Sequence, residues 1–252
     1  MQIDEKWSFV EKKQKNCDPD DPADVDCGDC WDHVAVDAEH RLVLAVVPGA
    51  RTIENTEAIV HEVKDRLQDR TPELITTDEY GAYESAIIQV FGAPVDPPER
   101  RGPGRPRMLP RREVPKALTY ATVRKRREGN RVVSVETKLV FGTERNLKRA
   151  LRRSKVSSQV NTSLVERQNG TDRGRNARKA RKTYRFSKDW EVHESMTYFT
   201  LYSYNFCWPV RTLRVKDRNG KWQQRSAAMA AKLTDHIWTW QEWFGFRAVQ
   251  SP

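Results

Sequence analysis

Short runs of β-branched and aromatic residues, separated by turn residues, dominate the first half of the chain. Such runs are typical of strands. Six strands are predicted, over residues 3–13, 31–37, 41–47, 74–78, 117–124 and 131–140. The fourth run is apolar and β-branched until Asp78 ends it, which is typical of a buried central strand. The last two runs flank a Glu-Gly-Asn turn and predict a hairpin.

A helical period appears between these strands and again in the second half of the chain. Ile59, Val63 and Leu67 lie four residues apart, so they share one face of a helix. Helices are predicted over residues 52–70, 80–91, 144–153, 159–179 and 190–208, with a terminal helix within 221–243. We expect the 190–208 helix to pack under the sheet. Periodicity alone supports a mixed α/β fold and nothing finer.

Residues 94–115 interrupt this pattern with Pro, Gly and Arg, which predicts an extended linker. Within the linker, residues 101–107 read Arg-Gly-Pro-Gly-Arg-Pro-Arg and resemble an AT-hook. Arg105 and Arg107 would then enter an A·T-rich minor groove. An ordinary flexible connection is the alternative interpretation.

Charge is distributed very unevenly along the 252 residues. Residues 100 to 190 hold 28 Lys/Arg and 7 Asp/Glu, whereas the rest of the chain holds 17 and 28. Such a basic region predicts binding to a phosphate backbone, although a solvated charge run is the usual explanation of a single cluster. Arg126 and Arg127, near the hairpin tip, are predicted to reach along DNA. No apolar run approaches the roughly 20 residues that span a bilayer, so we expect a cytoplasmic protein without a membrane partner.

Three carboxylates stand out by their positions. Asp4 lies in the first predicted strand, Asp78 ends the fourth, and Glu166 lies on a predicted helix inside the basic region. On that helix, Glu166, Asn169 and Arg173 fall at i, i+3 and i+7 and therefore share one face. That face could hold a cation and a phosphate together.

Four sequence blocks resemble, in order and spacing, the catalytic blocks of DDE transposases of bacterial insertion sequences, specifically the insertion sequence one type. They cover residues 4–10, 76–83, 161–169 and 181–188. The resemblance extends from Asp4 to about residue 214 and implies a ribonuclease H-like mixed sheet flanked by helices. Its catalytic domain would cover residues 1–214, with a basic insertion at about 94–143 that carries the linker and hairpin before the last catalytic helix. Residues 215–252 would form a helical tail.

The resemblance also implies the chemistry. Asp4, Asp78 and Glu166 would hold two Mg²⁺ (or Mn²⁺) ions, with Asp4 shared between them. Hydrolysis would free a 3′-hydroxyl at the element end, and that hydroxyl would attack target DNA. Arg173 would contact phosphate near the scissile bond, and Asn169 would position the reacting groups.

The partners implied by the resemblance are element-end and target DNA, in the nucleoid, and further copies of the chain. Family members carry an end-recognition region before the first Asp, whereas this chain reaches Asp4 at once. A separate or frameshift-fused N-terminal recognition region is therefore a further expected partner. Two other functions stay open: a DNA-binding protein derived from a transposase that does not cut, and a structure-selective nuclease of the same fold.

Alternative ligands also stay open. Glu5 or Asp37 would replace Asp4 if the strand register differed, whereas Glu79 is expected to point away from Asp78. Cys17, Cys27, Cys30 and His33 are chemically capable of binding zinc, but the long acidic first interval disfavours that site.

Overall fold

The computed structural model describes residues 1–68, 70–96, 111–129 and 131–246. Its strands are β1 (Gln2–Val10), β2 (Gly28–Asp37), β3 (Leu42–Gly49), β4 (Leu74–Asp78), β5 (Ala93–Val95), β6 (Arg111–Glu113), β7 (Thr119–Glu128), β8 (Arg131–Phe141), β9 (Val215–Lys216) and β10 (Trp222–Gln223). Its α-helices are α1 (Ile53–Arg66), α2 (Ala82–Phe91), α3 (Glu144–Arg153), α4 (Ser163–Arg175), α5 (Trp190–Cys207), α6 (Ala227–Ala230) and α7 (Trp240–Gly245). No helix within these ranges is long and apolar enough to cross a membrane.

A mixed six-stranded sheet forms the centre of the fold, in the order β3-β2-β1-β4-β7-β8. The parallel pairs are β1 with β4 and β4 with β7, and the remaining neighbours are antiparallel. The prediction of a mixed α/β fold is confirmed.

The hairpin of β7 and β8 was predicted to belong to an insertion at about 94–143, but the structure places it in the central sheet. Its first strand, β7, pairs with β4 over the whole length of β4, and Tyr120 and Ala121 are buried. The hairpin is therefore part of the central sheet, because β4 needs a hydrogen-bonded neighbour on its free edge.

Two helical layers cover the sheet. One core, under α1 and α2, is built from apolar side chains that include Ile3, Ile59, Ile75, Tyr83 and Ile87. The second core, under α4 and α5, includes Val34, Val36, Val165, Leu201 and Tyr204. The α5 helix thus packs on the sheet as predicted. Because successive strand residues face opposite sides, β1 sends Ile3 to the first core and its even-numbered side chains toward α4.

Gln2 anchors the start of α4. Its side-chain oxygen accepts hydrogen bonds from the backbone amides of Leu164 and Val165, at 2.9 and 3.0 Å. These amides belong to the first turn, which has no intrahelical acceptor for them. The helix therefore begins at Ser163, rather than at residue 159 as predicted, and it is fixed to β1 two residues before Asp4.

The predicted terminal helix within 221–243 was wrong. The segment contains the short helices α6 and α7, and β9 pairs with β10. Lys232, two residues after α6, has a φ of 62°, which a continuing helix does not allow. Part of the tail covers α5, since Trp240 and Phe244 stack on Phe199.

The predicted extended linker is paired at its ends, because β5 and β6 form an antiparallel pair. The proposed AT-hook residues, Arg105 and Arg107, lie outside the described residues.

Candidate active site

The parallel register of β1 and β4 brings Asp4 beside Asp78. Gln2 pairs with Thr76, and each strand carries its aspartate two residues further on. Oxygen atoms of Asp4, Glu5 and Asp78 all lie within 4.8 Å of one another. Two of the three predicted ligands therefore meet at the end of β4, together with a third carboxylate that was expected only as a substitute for Asp4.

Glu5 is a buried member of this carboxylate cluster. Its side chain is 2% exposed, and its Oε2 atom accepts a hydrogen bond from Arg51 at 3.0 Å. Its Oε1 atom forms no well-aligned hydrogen bond among the described residues, although the buried Tyr83 hydroxyl approaches this carboxylate and opposes the rise in its pKa that burial causes. Strand alternation predicts that Asp4 and Glu5 point to opposite faces. However, β4 ends at Asp78 and no longer flanks β1 beyond it. At this end of the strand the carboxylates of Asp4 and Glu5 both approach Asp78.

Arg51 is a member of the site that the sequence did not indicate. Its guanidinium lies 3.9 Å from Asp78 and stacks on the rings of Trp31 and Tyr80, 5.0 and 4.0 Å from their centroids. These contacts fix the side chain beside the carboxylates. A single arginine balances only part of their charge.

Glu166 reaches the edge of the cluster from α4. Its carboxylate accepts a hydrogen bond from Thr162 Oγ1 at 2.6 Å and forms an ion pair with Lys125 of β7. It is not among the carboxylates that lie within 4.8 Å of one another. One turn later, Asn169 donates a hydrogen bond to Asp4 at 2.9 Å. The helix therefore faces the site as predicted, with its glutamate held by a lysine.

The electrostatics of the cluster favour a cation. Burial, followed by the charges of Glu5, Asp78 and Glu166, raises the pKa of Asp4 to about 7. Burial likewise raises the pKa of Glu5. Crowded, desolvated carboxylate oxygens are the hard ligands that Mg²⁺ and Mn²⁺ prefer. The close approach of three carboxylates and the raised pKa of Asp4 therefore fit a donor set for a divalent ion.

The predicted DNA-contacting arginines lie in two places. Arg173 is half-buried on α4; burial and then Arg181 lower its pKa, while the charges of Asp4 and Asp172 oppose that shift. Arg126 and Arg127 are exposed on β7, beyond the residue that contacts Glu166. Arg173 is thus close to the carboxylates, and the hairpin arginines face solvent.

The alternative carboxylates lie elsewhere. Asp37 ends β2, three residues past the partner of Asp4, where it pairs with Leu42 and hydrogen-bonds His40. Glu79 turns away to Arg124, with 3.4 Å between the charged groups, as expected.

The zinc alternative does not fit the sheet. Cys30 and His33 are three residues apart on β2, so their side chains face opposite sides of it. His33 instead contacts the backbone oxygen of Val47 at 3.2 Å. These two residues cannot share one tetrahedral ion.

A buried ionic network lies beneath the carboxylate cluster. Lys6 on β1 forms ion pairs with Asp172 of α4 and with Asp32 of β2, and Lys179 approaches Asp32 to 2.6 Å. Donor atoms of Cys30, Asp32 and His193 also lie within 4.8 Å of one another, but the two ammonium groups on Asp32 disfavour a metal ion there. The network joins α4 to the sheet and so fixes the helix that carries Glu166.

Comparison of the chain with protein-family models, with curated proteins and with solved structures found no match.

Proposed function

We propose that this protein is a DDE transposase with a ribonuclease H-like fold. It would cut DNA at the ends of a mobile element and join the freed 3′-hydroxyl to target DNA. The observation that carries the proposal is the meeting of Asp4 and Asp78 on adjacent parallel strands, opposite the helix that bears Glu166. The sheet order and the family-like blocks support the same proposal.

The carboxylates supply ligands for two divalent ions. Asp4 would be shared, Asp78 and Glu166 would each hold one ion, and Glu5 adds a further oxygen donor. When bound, Mg²⁺ or Mn²⁺ would neutralise charge on the attacking and leaving oxygens of a phosphodiester. Glu166 becomes available when Lys125 leaves it, and the freed ammonium group can then pair with a DNA phosphate.

Other side chains orient these groups. The hydrogen bond from Asn169 holds the Asp4 carboxylate toward α4. Arg173, one further turn along the helix, would bind phosphate beside the scissile bond. The partners proposed are element-end DNA, target DNA and a second copy of the chain, because joining two ends needs two active sites.

Strand transfer in Mg²⁺ tests this function. Duplexes with a recessed 3′-hydroxyl, made from the DNA that borders the gene, are mixed with a plasmid target. The wild type is compared with Glu166→Gln and with Glu57→Gln on α1, a matched control on the other helical layer. Joined product from the wild type and the control, but not from Glu166→Gln, supports the transposase.

The same assay separates the alternatives. Cutting without joining would indicate the structure-selective nuclease. DNA binding with neither cutting nor joining, by wild type and variant alike, would contradict the enzyme and leave a DNA-binding protein.

A further inference from the structure

Helix α3 presents a continuous row of basic side chains to solvent. These residues, called here the α3 stripe, lie at i, i+3, i+4, i+7 and i+8: Arg145, Lys148, Arg149, Arg152 and Arg153. All of them are exposed. The opposite face of the helix carries Leu147 and Leu151, which pack against the core formed by Ala121, Val123 and Val160. The fold therefore fixes which side of α3 faces outward.

The charge of the stripe is largely uncompensated. Within the described part of the chain, Arg153 pairs with Glu73 at 2.5 Å, and Arg145, Lys148, Arg149 and Arg152 have no carboxylate within 4 Å. Like charges at i and i+4 destabilise a helix. The stripe is therefore not explained as a device for stability, and it fits a polyanion.

The stripe lies on the same side of the sheet as Glu166. Ala121, Val123 and Lys125 alternate along β7 and therefore face the same side of it. The first two residues lie beneath α3, whereas Lys125 contacts Glu166. A long anion that follows the stripe thus lies on the face from which the carboxylate cluster is approached.

We infer that the α3 stripe binds the phosphate backbone of duplex DNA on the face of the sheet that carries Lys125 and Glu166. The inference rests on the proposed function for the choice of DNA among polyanions. The ten residues of α3 extend about 15 Å, a length over which a duplex presents several phosphates. Arginine forks bind phosphate oxygens in a bidentate manner. Contacts to phosphate carry no sequence information, so the stripe grips DNA without selecting its sequence.

Fluorescence anisotropy of a 30-base-pair duplex tests this inference. The full chain is titrated in EDTA at several salt concentrations, so that binding is measured without cleavage. The test variant replaces Lys148, Arg149 and Arg152 by Gln. The control variant removes the same charge elsewhere, through Lys13→Gln, Lys15→Gln and Lys64→Gln. Thermal unfolding followed by circular dichroism verifies that each variant is folded.

The test variant should bind the duplex at least about tenfold more weakly than the wild type. The slope of log K against log salt concentration should be shallower by about 2 to 3, because each charge removed loses one phosphate contact. The control variant should bind within about twofold of the wild type. Unchanged affinity and slope in the folded test variant would overturn the inference. So would a wild-type protein that prefers single-stranded RNA or anionic phosphatidylserine vesicles to the duplex.

Binding and joining measured on the same proteins separate this inference from the proposed function. A wild type that grips DNA through the stripe but never cuts or joins it would refute the transposase and leave the inference standing. If the variant without the α3 stripe still joined DNA in Mg²⁺ and bound it as tightly as the wild type, the inference would fail and the proposed transposase would stand.

Discussion

The substitution Asp4→Asn should stabilise the protein at pH 8 in the absence of divalent ions. Burial and neighbouring carboxylates raise the pKa of Asp4 from its ordinary value of 3.8 to about 7. The folded state therefore keeps a proton that the unfolded chain has already lost, and stability falls as the pH rises through this interval. An amide at this position never ionises and removes that cost. Its oxygen still accepts the hydrogen bond from Asn169.

The magnitude follows from the pKa difference. One pKa unit corresponds to about 1.36 kcal/mol, so the raised pKa of Asp4 destabilises the folded state relative to the unfolded chain by about 4 kcal/mol at pH 8 and about 1.7 kcal/mol at pH 5. These values are upper limits, because water and counterions screen part of the repulsion. We expect Asp4→Asn to gain about 2 to 4 kcal/mol at pH 8 and less than half of that gain at pH 5.

Urea unfolding in EDTA at the two pH values measures this difference. Addition of Mg²⁺ should then stabilise the wild type, because the ion binds the folded carboxylates, and should leave the variant nearly unchanged. A variant that is less stable than the wild type at pH 8, or a gain that does not depend on pH, would refute the electrostatic reasoning.

Three further predictions concern the surroundings of the site. Asp172→Asn should lower the free energy of unfolding by about 1 to 3 kcal/mol, since buried Lys6 loses one charged partner, and unchanged urea unfolding would contradict this. Lys125→Met should tighten Mn²⁺ binding in calorimetry, because it removes the cation that competes for Glu166; weaker binding would mean that the lysine supports the site. Arg173→Ala should slow joining at least about tenfold with unchanged Mn²⁺ affinity, through loss of a charge-assisted phosphate contact, and equal joining rates would exclude that contact.

Local sequence patterns predicted the strands and helices of the core well, because burial imposes periods of two and about 3.6 residues. The run ending at Asp78 is the buried central strand β4 that was expected. Patterns failed where distant residues decide the outcome. The start of α4 depends on Gln2, and the tail breaks where backbone conformation and aromatic stacking on α5 override its alanine-rich composition.

The site was predictable only in part for the same reason. Asp4 and Asp78 were identified from family-like blocks, and the strand register brings them together. The alternation of side chains along a strand placed Glu5 on the opposite face from Asp4, because this rule does not consider where the neighbouring strand β4 ends. Arg51 and Lys125 carry no local signal: their roles arise from cation–π contacts and an ion pair across the fold.

The proposed chemistry depends on the binding of divalent cations by the carboxylate cluster. Free Mn²⁺ gives an electron paramagnetic resonance signal that is lost when the ion binds. The loss of this signal measures cation binding by the wild type, Asp78→Asn and the control Glu57→Gln. We expect saturable uptake by the wild type and the control, rising to two ions when duplex DNA is present, and strongly weakened uptake by Asp78→Asn. Equal uptake by all three proteins, or none by the wild type, would contradict it.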